Sequence, residues 1–359
     1  MTPAFINKIA TALPPNDVHE AFIAFARHLL REDRRKSALF NRMAERSGIA
    51  HRFSFVRPLP GPVPMSAGTA MDEAGFYRAG DFPGTAERMR AYEQTAPLLA
   101  AQAVEKLLAG EDPSAITHLV VTSCTGMSAP GLDLQLIERF ALSPKIERSM
   151  IGFMGCYAAI NALKLARHII RSEPGAKVLA VNLELCTLHL HETQDVEEIL
   201  SFLLFGDGCA AALISADPKG VEMESFHAAL VPQTAELIRW NVRDAGFDMV
   251  LSGGVPAAIR AGLAEAKPAI LGNRAVQDID LWAVHPGGRT VLDAVETAFE
   301  LPCDALAISR GVLQDYGNMS SGTVMFVLER MMQGKQGRGC AMAFGPGLVA
   351  ETMRFQLAA

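Results

Sequence analysis

Residues 150–171 read MIGFMGCYAAINALKLARHIIR, and the change of period inside this stretch decides the fold class. Met150 to Phe153 is a short apolar run. Gly155 interrupts it, and from Cys156 to Arg171 the apolar positions recur at helical spacing. A strand that turns through glycine into a helix is the building unit of layered α/β proteins. The same grammar recurs on both sides. His118 to Thr122 is a β-branched apolar run that turns at Ser123-Cys124-Thr125-Gly126 toward a helix from Leu132 to Phe140. Leu281 to Val284 precedes a helix from Arg289 to Phe299, while Val178 to Val181 and Ala210 to Ile214 read as further strands. Strands that are apolar at nearly every position are covered on both faces, so an α/β layered architecture fits better than an antiparallel sandwich.

Toward the N-terminus, Val18 to Glu32 places Phe22, Phe25, Ala26 and Leu29 at helical spacing, with Asn16 or Asp17 as cap, so two short helices are expected to open the chain. Pro58 to Pro64 holds four prolines and predicts an irregular connector. It leads to a long helix from Glu87 to Leu108. Toward the C-terminus, Thr323 to Glu329 and Gly339 to Phe344 read as strands joined by a hairpin turn at Gly334 to Arg338. Cys156 follows a strand in one half and His285 follows a strand in the other, which suggests a pseudo-duplicated body.

The chain has 359 residues, 50% of them hydrophobic and 20% charged, which suits a large buried core and excludes disorder as the main state. Its 33 basic and 39 acidic residues leave −6, without the global basic field of a nucleic-acid binder. Locally the balance reverses. Arg27 to Arg57 carries nine Lys or Arg against three acids, either a solvated helix face or a docking surface for phosphates. The longest apolar candidate, Ile199 to Ala216, is broken by Gly206, Asp207 and Gly208, so no membrane span is expected. Asn7, Lys8, Pro14, Pro15 and Asn16 stand where a secretory apolar region would run, and the expected location is cytoplasmic. Six cysteines without a Cys-x-x-Cys pair read as free thiols. No metal site is expected, because His189-Leu190-His191-Glu192 lacks a further ligand cluster.

Three positions could carry chemistry. Cys156, between Gly155 and small residues, should sit at a helix N-terminus, where the macrodipole would lower the thiol pKa and make a nucleophile. His285 ends a strand, and Pro286-Gly287-Gly288 turns the chain away so that the imidazole can face a cavity. Asn318, in Tyr316-Gly-Asn-Met-Ser-Ser-Gly, reads alone as turn chemistry before the strand beginning at Thr323. Together they suit acylation on sulfur, with a carbonyl oxygen held as negative charge develops on it. No further glutamate or cysteine at a comparable turn offers a strong base, and loss of carboxylate from a malonyl unit would make a carbanion without one.

These residues stand in Met154-Gly-Cys-Tyr-Ala-Ala, Leu204-Phe-Gly-Asp-Gly-Cys-Ala-Ala, Val284-His-Pro-Gly-Gly, Tyr316-Gly-Asn-Met-Ser-Ser-Gly and Phe344-Gly-Pro-Gly-Leu. In that order the motifs resemble the type III polyketide synthases, the chalcone and stilbene synthase group of the thiolase-like condensing enzymes. The resemblance implies a layered αβαβα architecture of two similar halves, residues 1–217 and 218–359, and a homodimer. It implies Cys156 as acyl acceptor, His285 and Asn318 as the pair binding the thioester carbonyl, and Phe205 as a gating aromatic. Arg42 and Arg46 match residues that meet coenzyme A phosphates, with Leu39 where a third cation is usual. Ser320 and the Gly345-Pro346-Gly347 loop match the cavity floor, and Cys124, Cys186 and His189 match cavity walls.

Departures from the family pattern shape the expected substrate. Met249 replaces a second gating phenylalanine and Trp240 a small cavity residue, while Ala129 stands where plant enzymes carry a methionine that crosses the dimer interface. This pattern looks like bacterial members that take fatty acyl starters or malonyl units alone. The implied reaction is iterative decarboxylative condensation of malonyl-CoA onto an acyl-CoA, with cyclisation to a pyrone, resorcinol or related phenol. Coenzyme A thioesters are substrates, no cofactor is implied, and no Gly-x-Gly-x-x-Gly fingerprint follows a strand. The alternatives are a single-round ketoacyl synthase of fatty-acid initiation and a non-catalytic acyl-CoA binding protein.

Overall fold

A strand, not a helix, opens the chain. The computed structural model describes residues 2–61 and 66–358, and begins with β1 (Phe5–Ala12), β2 (Asn16–Asp17), α1 (His19–Leu29), α2 (Arg34–Arg46) and β3 (Phe53–Ser54). The two predicted helices are present, but they follow β1. Asn7 and Lys8 interrupt its apolar run and a bulge lies between Ile6 and Lys8, so the period-2 signal is hidden. Pro62 and Pro64 of the proline-rich connector lie outside the described residues, while Pro58 bridges to Asp72.

Helix α3 (Thr85–Leu108) leads to β4 (His118–Ser123), α4 (Leu132–Arg139), β5 (Glu147–Gly152), α5 (Ala158–Ser172), β6 (Val178–Leu185), α6 (Val196–Phe202) and β7 (Asp207–Ser215). Next come β8 (Val221–Leu230), the β9 (Ile238–Arg243) and β10 (Gly246–Leu251) pair, and α7 (Val255–Leu271). The remainder is β11 (Leu281–Val284), α8 (Arg289–Phe299), α9 (Ala307–Tyr316), α10 (Thr323–Met332), β12 (Gly337–Gly345) and β13 (Val349–Leu357).

Nine strands form one sheet in the order β11-β12-β13-β8-β1-β7-β6-β4-β5. The seam between its two parts is short: β1 meets β8 only at Phe5 opposite Glu222 and Ile6 opposite Val221. Helices α5 and α10 pack between the two parts, in a core that draws Ile160, Leu163, Val324 and Phe326 together with Val120, Ile214, Ala283 and Met353. Outside one part lie α3 and α4 with Leu99, Val104 and Leu136; outside the other lie α7 and α8 with Ile259, Leu263 and Leu292. The layers therefore run αβαβα, as expected. No helix among the described residues is long and apolar enough to cross a membrane.

One expected strand is a helix. Thr323 to Glu329 belongs to α10, whose central position buries every side chain from Thr323 to Leu328. A helix buried all round shows no polar face, and its Thr and Val residues imitate a strand. Consequently Gly334 to Arg338 joins a helix to β12, and the hairpin falls one step later, between β12 and β13.

Candidate active site

The nucleophile candidate sits where β5 gives way to α5. Phe153 (φ 56°) and Gly155 (φ 75°) adopt left-handed conformations that fold the chain back, and one turn of 3-10 helix, Gly155–Tyr157, carries Cys156 into the N-terminus of α5. Glycine is required at 155: a Cβ there would lie 2.1 Å from Pro346 Cδ. Gly155 N–H donates to Cys124 Sγ at 2.9 Å.

Burial decides the protonation state of this thiol. Enclosure pushes Cys156 up to about 12, and the Glu184 charge adds to this, while hydrogen bonds with the Ser320 and Asn318 side chains pull the other way. The expectation of a depressed value at the helix terminus is corrected: desolvation outweighs the dipole in so enclosed a place.

His285 directly follows β11, and its backbone N–H donates to Met342 O at 2.8 Å, extending the parallel pairing that sets Val284 opposite Met342. The residue is 1% exposed and neither ring nitrogen has a partner among the described residues. Burial lowers its pKa to about 3, so the imidazole is neutral and presents one N–H. Asn318 follows α9 after Gly317 (φ 68°) and is stitched to the segment around Phe205: its backbone N–H donates to Leu204 O, and Gly206 N–H donates to its carbonyl. Asn318 Oδ1 accepts from Ser320 N–H at 2.8 Å, and Nδ2 donates to Gly287 O at 3.3 Å. These two bonds fix the orientation of the amide, leaving its second N–H for the cavity. Ser320 itself is held at φ 47°, a strained conformation for a non-glycine residue.

Cys156, His285 and Asn318 line one cavity of about 760 Å³, its open mouth included. Cys124, Cys186, Phe205, Trp240, Met249, Ser320, Gly345 and Pro346 complete most of its wall. Trp240 is fixed by its indole N–H on Cys124 O at 2.7 Å and pairs with Met249 across the β9–β10 ladder. Two expected wall residues lie elsewhere. His189 is stacked on Phe247 at 4.1 Å and set edge-on to Trp240, with its Nε2 on Thr125 O, because the bulky indole takes the wall position in front of it. Gly347 sits past the turn, its N–H on Ile238 O. Arg42 and Arg46 lie on α2 at the surface, outside the cavity.

Residue typing alone misses Glu184. This carboxylate, fully buried in β6, accepts from Cys124 N–H, Thr125 Oγ1 and Ser321 Oγ, and burial raises it to about 7. Its sequence signal is a lone acid inside a run that is apolar but for Asn182. A grouping of candidate metal ligands, His118, Glu147 and Glu173, lies at the opposite end of β4 from Cys124.

A second cavity, about 670 Å³ with its open mouth included, lies on the other side of Phe205. It shares Cys186, Phe202 and Phe205 with the first and is otherwise bounded largely by Val18, Ala21, Phe22, Phe25, Met71 and Leu190. Arg52 fastens this partition, donating from Nη1 to the carbonyls of both Phe202 and Phe205 at 2.8 Å.

Comparison with known proteins gives consistent matches. The family model "Chalcone and stilbene synthases, N-terminal domain" matches residues 2–218, and the corresponding C-terminal domain matches 222–357. The alpha-pyrone synthesis polyketide synthase-like Pks18 of Mycobacterium tuberculosis is 36% identical over 287 residues, covering 76% of this chain and 73% of its own. The bisdemethoxycurcumin synthase of Oryza sativa subsp. japonica is 34% identical over 297 residues, covering 76% and 74%. Among solved structures, PKS-I of the brown alga Ectocarpus siliculosus superposes with a TM-score of 0.85 at 28% identity, over 100% of this chain and 99% of that one. The type III polyketide synthase domain of Steely1 from Dictyostelium gives 0.89 at 22% identity over 99% and 100%, a likeness of fold.

Proposed function

The chain belongs to the chalcone and stilbene synthase family, the type III polyketide synthases that condense acyl and malonyl thioesters of coenzyme A, and we propose that its starter is a fatty acyl-CoA and its product an alkylpyrone or alkylresorcinol. The observation that carries the starter assignment is the largely apolar second cavity on the other side of Phe205. An aliphatic tail attached through Cys156 has a compartment to enter there, and burial favours it by about 0.8 kcal/mol per methylene. The relative named for alpha-pyrone synthesis supports lactone closure.

In this reading the acyl group passes from coenzyme A to Cys156 sulfur, and the thiol proton leaves with the coenzyme A thiol. Malonyl-CoA next loses carbon dioxide. The electron pair of the broken bond becomes an enolate, whose oxygen accepts hydrogen bonds from the neutral His285 ring and from Asn318 Nδ2. Its carbon attacks the Cys156 thioester and expels the thiolate, leaving a β-ketoacyl-CoA that reloads. Phe205 and Met249 line the passage that each intermediate crosses. Arg42 and Arg46 meet the coenzyme phosphates on the surface. Two copies of the chain pair along the exposed edge of β5.

The test is a mass profile of products from acyl-CoAs of increasing chain length with malonyl-CoA and no carrier protein. Multiply extended, cyclised products from long acyl-CoAs are expected, and their loss in Cys156→Ala. Turnover confined to short or aromatic starters would refute the fatty acyl assignment, and a product that stops after one extension would favour a single-round synthase.

A further inference from the structure

Arg52, one of the residues lining the second cavity, carries a buried nitrogen that nothing among the described residues satisfies. Apart from the Cys186 thiol, the polar lining of that cavity consists of Arg52, Ser54, Asp72, Tyr77 and Thr187. All but Arg52 are committed. The Ser54 and Thr187 hydroxyls bond each other at 2.6 Å, and Thr187 Oγ1 also donates to Asp207 at 2.7 Å. Asp72 accepts the backbone N–H groups of Ala74, Phe76 and Tyr77, and the Tyr77 hydroxyl donates to Thr187 O at 2.6 Å.

Arg52 differs. It is 2% exposed, its Nε donates to His19 Nδ1 and its Nη1 to two carbonyls, but Nη2 has no partner among the described residues. A buried guanidinium N–H without an acceptor is among the costlier omissions a protein can carry. The positive charge is already countered by Asp17 and Asp207, which both act on Arg52, and Asp72 lines the same cavity. An incoming carboxylate would meet those acids, whereas a neutral oxygen would not.

We propose that the second cavity is a subsite for an oxygenated acyl chain, in which a hydroxyl or keto oxygen part-way along the starter accepts a hydrogen bond from Arg52 Nη2. The proposal rests on the fatty acyl reading above and sharpens it: Arg52 selects where along the tail an oxygen is carried. Because the same guanidinium holds the Phe202 and Phe205 carbonyls, a chain that engages it is also registered against the partition next to Cys156.

The experiment compares acyl-CoAs of one length: the plain chain, its hydroxy and keto regioisomers, and an ω-carboxylate. Loading of Cys156 is followed by intact mass, and kcat/KM by product formation. One oxygen position, or two adjacent ones, is expected to exceed the plain chain by about tenfold or more, with the ω-carboxylate falling below it. Arg52→Lys should bring the ratio of oxygenated to plain chain toward one, a readout that general loosening of the fold would not move selectively. Equal kcat/KM across all regioisomers in the wild-type enzyme overturns the proposal, whether or not the variant folds. Plain long chains that load and extend in that same experiment leave the fatty acyl reading standing; failure of every long acyl-CoA to load removes both.

Discussion

A thiol raised to about 12, as Cys156 is, has less thiolate at neutral pH than an ordinary cysteine. Alkylation of Cys156 by iodoacetamide in the free enzyme should therefore climb about tenfold per pH unit from about pH 7 to about pH 10 without levelling. A plateau below about pH 8 would mean a thiolate preformed by pairing with His285. This ionisation is not legible in the sequence, because it depends on enclosure by segments far away along the chain: Ser320, Pro346 and Glu184 all bear on Cys156 or its turn. What residue type and spacing do convey is the candidate itself. A cysteine between glycine and small residues at a strand-to-helix turn stands out, as do the strand-end His285 and the glycine-bracketed Asn318.

At the scale of elements, the turn between β5 and α5 tolerates least. Gly155→Ala drives a Cβ into Pro346 and strains a positive φ, and is expected to lower stability by about 2–4 kcal/mol. Thermal melting should show that loss, together with failure of Cys156 to load; a variant that melts and loads like the wild type would mean that the Pro346 turn moves freely. Strand–turn–helix units of this kind are readable wherever a glycine separates two clear periods, as at Gly155 and at Gly287-Gly288. Reading fails where tertiary position replaces local pattern. Helix α10 has no polar stripe because layers cover it on every side, and β1 is a central strand whose polar Asn7 and Lys8 look like loop. Trp240 lines the wall where its residue type is expected, but its consequence for His189 emerges only from the β9–β10 pair.

Across the whole molecule, the β5 edge of the sheet is open. Glu147, Arg148 and Met150 are exposed along it, and Met127 and Leu134 are exposed in the segment that joins β4 to β5. An unpaired edge bearing exposed methionine invites a partner strand. Sedimentation equilibrium should give twice the chain mass, and Met150→Lys should shift it toward the single chain; an unaltered mass would place the contact elsewhere.

The seam at β1 and β8 has a different consequence, one that concerns synthesis. The wall around Cys156 combines Cys124, Cys186 and Phe205 from the first part of the chain with His285, Asn318 and Pro346 from the second. A chain made from its N-terminus completes β4 to β7 and the Cys156 turn while β8 to β13 are still to come. Until β8 pairs with β1 and the strands beyond it follow, the nascent protein carries Cys156 without His285 and Asn318 and without Pro346, against which its turn packs. In the proposed mechanism the enolate needs both donors, so malonyl decarboxylation at that thiol would wait for the second part of the chain to fold.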